Sequence, residues 1–293
     1  MAGLLERLTR LSLQRRHGFT SRHVATSAGA LHVLSSPRRA GPTVVLLHGL
    51  SAAGTSYSPM LPHLLGRVGR VILPDLPGHG FSATSDGLDA DRVHTGLTEA
   101  LDAVLDEPAF VYGNSLGGYV ATRFALARPE RVRGLVLASP AGTPSTRAEL
   151  DEIRRIFTVS SHREGLDFVD RLLARPDPRL RHVIAMMLRR RFADPALQRI
   201  LAAVEPETGI DAHELASLRA PTLLVWGAHD RILPERHRDY YRTHLPEQTR
   251  VETPAKYGHS PYLDDARGAS ARVLEFIDEI VARERAVPRD AAR

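Results

Sequence analysis

The chain has 293 residues, 43% of them hydrophobic and 25% charged, which suits a globular protein with a sizeable core and at most two domains. It has no cysteine, which excludes a disulfide framework and a thiolate nucleophile or metal site and is consistent with a reducing cytoplasm. The formal charge is +5, and every basic residue except Lys256 is arginine. Because the basic residues do not interleave with aromatic ones, we expect a solvated surface and no nucleic-acid partner.

Residues 1–20 are predicted to form an amphipathic segment. Leu4, Leu5, Leu8 and Leu11 fall on one helical face, and arginines occupy other positions. Packing of this helix on the body of the protein is the first interpretation, and contact with a membrane surface or a lipophilic entrance is the alternative. The segment lacks the long apolar core of a signal peptide, and we expect no transmembrane segment anywhere in the chain.

Strand patterns then alternate with helix-length periodic segments. An alternating pattern between residues 21 and 36 predicts an antiparallel hairpin, and short apolar runs further on predict strands buried on both faces of a sheet. We therefore predict an α/β fold with a mostly parallel, doubly wound sheet, whose core comprises residues 21–142 and 216–293 and which binds ligands beyond the carboxyl ends of its strands. The apolar runs cover residues 43–48, 71–74, 110–112, 132–138, 222–226 and 250–253.

The alternation stops between residues 143 and 215. This stretch has no strand pattern and contains several helical pieces separated by prolines, which predicts a helical cap inserted between two strands. Phe157, Met186 and Met187 are predicted to line a substrate pocket beneath it, with the interior of the helices as the alternative. The run Arg189–Arg191 is interpreted as a solvated helix face.

The segment Val111–Gly118 predicts a strand, a sharp turn and then a helix. A serine at such a turn projects its hydroxyl out of the sheet, and Ser115 occupies that position. The turn is too tight for side chains at both flanking positions, and the glycines at these positions, Gly113 and Gly117, meet this requirement. Ser115 is therefore a candidate nucleophile.

Five motifs in the same order make the chain resemble the α/β-hydrolase fold family with a helical cap. The resemblance covers nearly the whole chain and implies the order nucleophile, acid, histidine that is typical of this fold. The motifs are Val44–Leu50, Leu73–Ser82, Gly113–Gly117, Leu223–Asp230 and Tyr257–Pro261.

A serine hydroxyl is a weak nucleophile until a base takes its proton, so Ser115 requires an imidazole, and His259 is the candidate. Asp230 is the candidate for holding that imidazole in one tautomer. Attack on a carbonyl also needs donors for the developing oxyanion. The backbone N–H of Leu116 is predicted to be one donor, because Leu116 directly follows the nucleophile. The resemblance implies that the backbone N–H of Leu50 is the second donor. No clustered metal-ligand set or phosphate loop is present, so we expect no metal and no cofactor.

Hydrolysis of a carboxylic ester of small to medium, largely apolar character is the first functional hypothesis. The resemblance disfavours haloalkane dehalogenases and epoxide hydrolases, which need an aspartate nucleophile. The motif with Asn114 before the serine instead resembles that of hydrolases that cleave a carbon–carbon bond in ring-cleavage diketones. Against this alternative, Ser260 follows the candidate histidine, where those enzymes usually have tryptophan. A non-catalytic ligand-binding protein, an acyltransferase and a cofactor-free haloperoxidase are further alternatives. Asn114 and Ser51 are also predicted to lie at the substrate pocket.

Overall fold

An eight-stranded sheet forms the centre of the computed structural model, which describes residues 3–83 and 88–286. The strand order is β1-β2-β4-β3-β5-β6-β7-β8. The β1–β2 and β2–β4 pairs are antiparallel and the other five pairs are parallel, so the predicted α/β class is confirmed. The strands are β1 (Thr20–Thr26), β2 (Gly29–Ser35), β3 (Thr43–Leu47), β4 (Arg70–Pro74), β5 (Ala109–Asn114), β6 (Val132–Ala138), β7 (Thr222–Val225) and β8 (Arg250–Glu252).

Helices lie between the strands and cover both faces of the sheet. They are α1 (Leu4–His17), α2 (Leu61–Leu64), α3 (Ala90–Val104), α4 (Leu116–Ala127), α5 (Arg147–Ile156), α6 (His162–Leu172), α7 (Leu180–Phe192), α8 (Pro195–Ala202), α9 (Ala212–Ala216), α10 (Glu235–His244), α11 (Pro261–Asp264) and α12 (Ala266–Ala286).

The central strand β3 shows why the strand segments are continuous apolar runs in the sequence. All five of its residues are buried. Val45 and Leu47 belong to the apolar core on one face of the sheet, while Val44 and Leu46 belong to the core on the other face. Because successive side chains of a strand point to opposite faces, a strand covered on both sides must be apolar at every position.

Helices α5 to α9 follow one another between β6 and β7 without an intervening strand. Sequence-encoded caps start two of them, because the Thr146 and Ser161 hydroxyls accept the N–H groups of Glu149 and Glu164 at the beginnings of α5 and α6. The rings of Phe157, Phe168 and Phe192 pack together with centroids 5.0 to 5.5 Å apart. This aromatic cluster joins α6 and α7 to the end of α5.

Helix α1 contacts the rest of the molecule through only part of its surface. Leu13 is buried, and the guanidinium of Arg10 lies 4.4 Å from the centre of the Phe81 ring. The four leucines of the predicted apolar face are all exposed, by between 39% and 73%. Packing against the described part of the protein therefore covers these leucines only in part. In residues 3–83 and 88–286, no helix combines the length and the apolar character needed to cross a bilayer.

Candidate active site

Ser115 lies between β5 and α4 in a strained backbone conformation, with φ 55° and ψ −119°. The two flanking glycines permit this turn. A Cβ on Gly113 would come within 2.3 Å of the Gly117 carbonyl oxygen, and a Cβ on Gly117 within 2.1 Å of the Leu47 carbonyl oxygen. The structure therefore explains both glycines by close backbone approach.

Asp230 and His259 meet at the carboxyl ends of β7 and β8. Asp230 Oδ2 lies 2.9 Å from His259 Nδ1, and both side chains are almost completely buried. Asp230 Oδ1 accepts the N–H groups of Ile232 and Leu233, at 2.9 and 3.1 Å. Burial opposes ionisation of the Asp230 carboxyl, but His259 and these two amides outweigh it and lower its pKa. The carboxylate is therefore held ionised against the imidazole.

The loop that carries His259 is tied directly to the serine turn. The Asn114 side-chain amide donates to the carbonyl oxygens of Ala138 and His259, each at 2.9 Å. The hydroxyl of Ser260 donates to Asn114 Oδ1 at 3.0 Å. The Asn114 amide thus hydrogen bonds to other groups of the protein, and these bonds fix the histidine loop beside Ser115.

The Ser115 hydroxyl makes no hydrogen bond to any described residue, including His259. Catalytic hydrogen bonds are often long or misaligned in unliganded enzymes, so this geometry is compatible with proton transfer once substrate is bound. The structure brings Ser115 and His259 to one edge of the sheet, joined through Asn114.

Leu50 and Leu116 line the same cavity as Ser115, and neither of their backbone N–H groups has an acceptor among the described residues. The preceding Gly49 carbonyl accepts from His48 Nδ1 at 2.9 Å and from the Ala52 N–H at 3.2 Å. Because the C=O and N–H of a trans peptide point in opposite directions, these bonds also fix the direction of the Leu50 N–H. His48 therefore orients the loop that carries Leu50 through its bond to the Gly49 carbonyl. Burial lowers the pKa of the His48 imidazole.

A cavity of about 130 Å³ opens at this point. Leu50, Ser115 and Leu116 line it, together with Phe157 from the end of α5. Most of the other lining side chains are aliphatic, among them Val93, Leu150, Ile153, Ile200, Leu201, Val204 and Leu233. The cavity can therefore receive an apolar group beside the Ser115 hydroxyl.

Four residues predicted at the pocket lie elsewhere. Met186 and Met187 are 48% and 45% exposed on α7, because they fall on the side of that helix turned away from the core. Asn114 is occupied by its hydrogen bonds to the histidine loop. Ser51 does not line the cavity, and its carbonyl accepts Nε of Arg191 at 3.2 Å. Their assignment to the substrate pocket is therefore corrected.

Sequence reasoning missed two residues near the site and misplaced a third, Arg191, which belongs to the run interpreted as a solvated helix face. Arg191 turns inward to the Ser51 carbonyl, whereas Arg189 and Arg190 are exposed as predicted. Asp264 accepts the N–H groups of Ala174 and Gly258 at 2.8 and 2.7 Å and so joins the histidine loop to the chain after α6. His237 on α10 lines the cavity. No local motif marks these residues, and the contacts of Asp264 with Ala174 and of Arg191 with Ser51 join positions far apart in the sequence.

A mostly parallel sheet with a serine at a strand-to-helix turn, an acid after β7 and a histidine after β8 defines the α/β hydrolase class. The chain belongs to the α/β hydrolase fold family, whose sequence pattern matches residues 42–266.

The proteins to which this chain is similar have names that indicate different activities. A pimeloyl-[acyl-carrier protein] methyl ester esterase of Aeromonas hydrophila is 30% identical, over 82% of this chain and 96% of its own length. Polyketide synthase ThaQ of Burkholderia thailandensis is 31% identical over 82% of this chain, but the match spans only 12% of ThaQ. The solved 2-hydroxy-6-oxo-6-phenylhexa-2,4-dienoate hydrolase of a Rhodococcus species superimposes with a TM-score of 0.75 at 21% identity, covering 89% of this chain and 99% of that one.

Proposed function

We propose that the protein is a serine hydrolase that cleaves a carboxylic ester through an acyl-enzyme intermediate. One observation carries this proposal: the histidine of the Asp230–His259 hydrogen bond, 2.9 Å long, is tied through Asn114 to the strained turn of Ser115, which lines an apolar cavity. The similarity to a methyl ester esterase over 96% of that enzyme supports ester hydrolysis in particular. The similarity to the dienoate hydrolase, at 21% identity, supports the fold alone.

In the first half of the reaction, Ser115 Oγ attacks the ester carbonyl carbon while His259 Nε2 takes the hydroxyl proton. This step needs the Ser115 hydroxyl to rotate toward the imidazole. Asp230 stabilises the imidazolium that forms, because it already accepts the Nδ1 proton. The N–H groups of Leu50 and Leu116 receive the oxyanion, since neither has an acceptor of its own among the described residues.

Collapse of the tetrahedral intermediate breaks the bond to the alcohol oxygen, and the alcohol leaves with the proton from His259. Water then enters and loses a proton to His259 as it attacks the acyl carbon bound to Ser115. A second collapse releases the carboxylic acid and returns the proton to Ser115. Each half of the cycle uses the same base and the same two backbone donors.

The cavity supports a small or medium, largely apolar substrate. Its volume of about 130 Å³ and its aliphatic lining suit a short acyl or alcohol group. The carbon–carbon hydrolase hypothesis was based on Asn114, and that residue is now accounted for by three hydrogen bonds within the protein. Its presence therefore gives no separate support to diketone cleavage.

A small molecule, and no nucleic acid, is the partner we infer for this site. Many arginines are engaged in ion pairs with acids, such as Arg123 with Glu214 at 2.5 Å and Arg154 with Asp151 at 2.8 Å. The positive charge is thus partly neutralised within the protein surface. A cytoplasmic location is supported by the cysteine-free composition.

Labelling with a fluorophosphonate probe, followed by mass spectrometry, tests the nucleophile. We expect the adduct on Ser115, and we expect Ser115→Ala to lower ester turnover by at least about 1,000-fold while the protein stays folded. Ser217→Ala, at an exposed serine after α9, is the matched control and should label and hydrolyse as the wild type does. Ester turnover by Ser115→Ala at the wild-type rate would refute the assignment.

A further inference from the structure

The apolar cavity beside Ser115 has a polar wall formed by α10 and the segment that follows β6. The Tyr241 hydroxyl of α10 donates to the Ala141 carbonyl at 2.6 Å. Arg236, also on α10, donates to the Pro144 carbonyl at 3.2 Å and to the Ser145 hydroxyl at 3.0 Å. These bonds hold α10 against residues 141–145. His237 and Thr143, one from each side of this contact, both line the cavity.

His237 and Thr143 carry buried polar atoms that the protein leaves without partners. His237 is 2% exposed, and neither of its ring nitrogens hydrogen bonds to any described residue. Thr143 is 5% exposed, and its hydroxyl is also unpaired within residues 3–83 and 88–286. Folded proteins pair most of their buried polar side-chain atoms, so unpaired ones on residues that line a cavity point to a missing ligand.

The neighbouring residues of α10 show that this helix does not lack partners in general. The Tyr240 and Tyr241 hydroxyls donate to the carbonyl oxygens of Ile210 and Ala141, at 2.9 and 2.6 Å. Arg236 is paired with Glu149 at 2.5 Å. His237 differs from them because it lines the cavity and neither of its ring nitrogens has a partner among residues 3–83 and 88–286.

The charge of this wall limits what can bind there. Burial, together with the adjacent Arg236, lowers the pKa of His237 to about 4, so the ring is neutral near pH 7 and offers one donor and one acceptor. The Thr143 hydroxyl also donates and accepts. Arg236 is neutralised by Glu149, and Glu205, an acid of the lining, pairs with Arg147 at 2.8 Å. A carboxylate would find no free cation among these groups, whereas a hydroxyl or carbonyl oxygen finds matching partners.

We propose that His237 and Thr143 form a binding site for an uncharged oxygen function, a hydroxyl or a ketone, in the part of the substrate that occupies the cavity. The enzyme then prefers esters that carry this group over plain alkyl esters of the same length. The inference rests on the proposed ester hydrolysis, because the same cavity contains Ser115. A plain chain would leave the two buried side chains unpaired, and such sites discriminate strongly against ligands that lack the polar group.

Two series of esters test the inference. One carries a hydroxyl or ketone at successive positions of a six-carbon acyl chain, the other at successive positions of a six-carbon alcohol, each with its plain alkyl counterpart. We expect one position in one series to exceed the plain ester in kcat/KM by about tenfold. The series in which it occurs tells whether the cavity holds the acyl or the alcohol group.

Variants connect the preference to the two side chains. His237→Leu should bring the ratio of oxygenated to plain ester close to one, and Thr143→Val should reduce it in part. His237→Gln, which keeps a donor and an acceptor, should retain part of the preference. His244→Leu, on the same helix but not among the residues lining the cavity, is the matched control and should leave the ratio unchanged.

The outcomes separate this inference from the proposed function. If wild-type protein hydrolyses plain esters and is labelled at Ser115, but shows no preference at any position, the inference alone is wrong. An equal loss for all esters in His237→Leu would likewise overturn it, because it would indicate a purely structural role. Absence of both labelling and ester turnover would instead overturn the proposed function.

Discussion

Replacing Asn114 by leucine removes three hydrogen bonds, two of which join the serine turn to the histidine loop and one of which joins it to the end of β6. Because leucine has nearly the same side-chain shape as asparagine, the main effect of the substitution is the loss of hydrogen bonds. The Ala138 carbonyl keeps the Ser115 N–H as a donor at 3.1 Å, but the His259 carbonyl and the Ser260 hydroxyl lose the Asn114 side chain as their partner. At about 1 kcal/mol for each bond, the free energy of unfolding should fall by about 3 kcal/mol.

Such a loss corresponds to a decrease in Tm of roughly 5 °C for a chain of this length. Because the His259 carbonyl is no longer anchored, kcat should also fall, by about 10- to 100-fold. Urea unfolding followed by circular dichroism measures the first effect, and steady-state ester hydrolysis measures the second.

Ser260→Ala is the control for this prediction, since it removes only the bond from the Ser260 hydroxyl to Asn114 Oδ1. It should cost about 1 kcal/mol and change kcat little. The reasoning is refuted if Asn114→Leu unfolds within about 0.5 kcal/mol of wild type, a difference typical of neutral surface changes. In that case Asn114 would be free for a role toward substrate.

Two further perturbations act on stability. His237 and His79 have pKa values lowered by burial, to about 4 and about 3, from 6.5, so between pH 6.5 and about 4 the unfolded chain binds protons that the folded chain does not. Stability should therefore fall with falling pH by up to about 1.4 kcal/mol per pH unit for each ring, and His237→Leu should remove one of the two contributions. Urea titrations across this range with an unchanged slope in that variant would contradict the assignment. Gly117→Ala places a Cβ 2.1 Å from the Leu47 carbonyl oxygen, so we expect a loss of at least about 3 kcal/mol in thermal unfolding, whereas Gly3→Ala, with open space around it, should unfold like the wild type.

The strands and the site residues on their ends could be predicted because each has a local signal. A continuous apolar run marks β3, and the glycine-flanked Ser115 marks the turn after β5. The pairing of Asp230 with His259 follows from the order of motifs, and the structure places their side chains 2.9 Å apart. These signals arise from strand burial and backbone crowding, which act over a few residues.

The helical stretch between β6 and β7 was harder to predict because helix periodicity does not say which face docks on the core. Phe157 turns to the cavity, whereas Met186 and Met187 turn to solvent. Consecutive residues of a helix are separated by about 100° around its axis. For that reason Arg191 faces inward while Arg190 does not. The docking depends on contacts between residues far apart in the sequence.

Asp264 connects the end of α6 to the histidine loop, since it accepts the N–H groups of Ala174 and Gly258. The His259 N–H adds a second connection by donating to the Leu172 carbonyl at 2.8 Å. For protein engineering, residues 172–174 therefore behave as part of the framework of the candidate active site although they belong to the helical stretch. A chimera that exchanges helices to alter substrate range should take its first junction after Ala174 and its second after α8, so that α7 and α8 are replaced while the histidine keeps its backbone support.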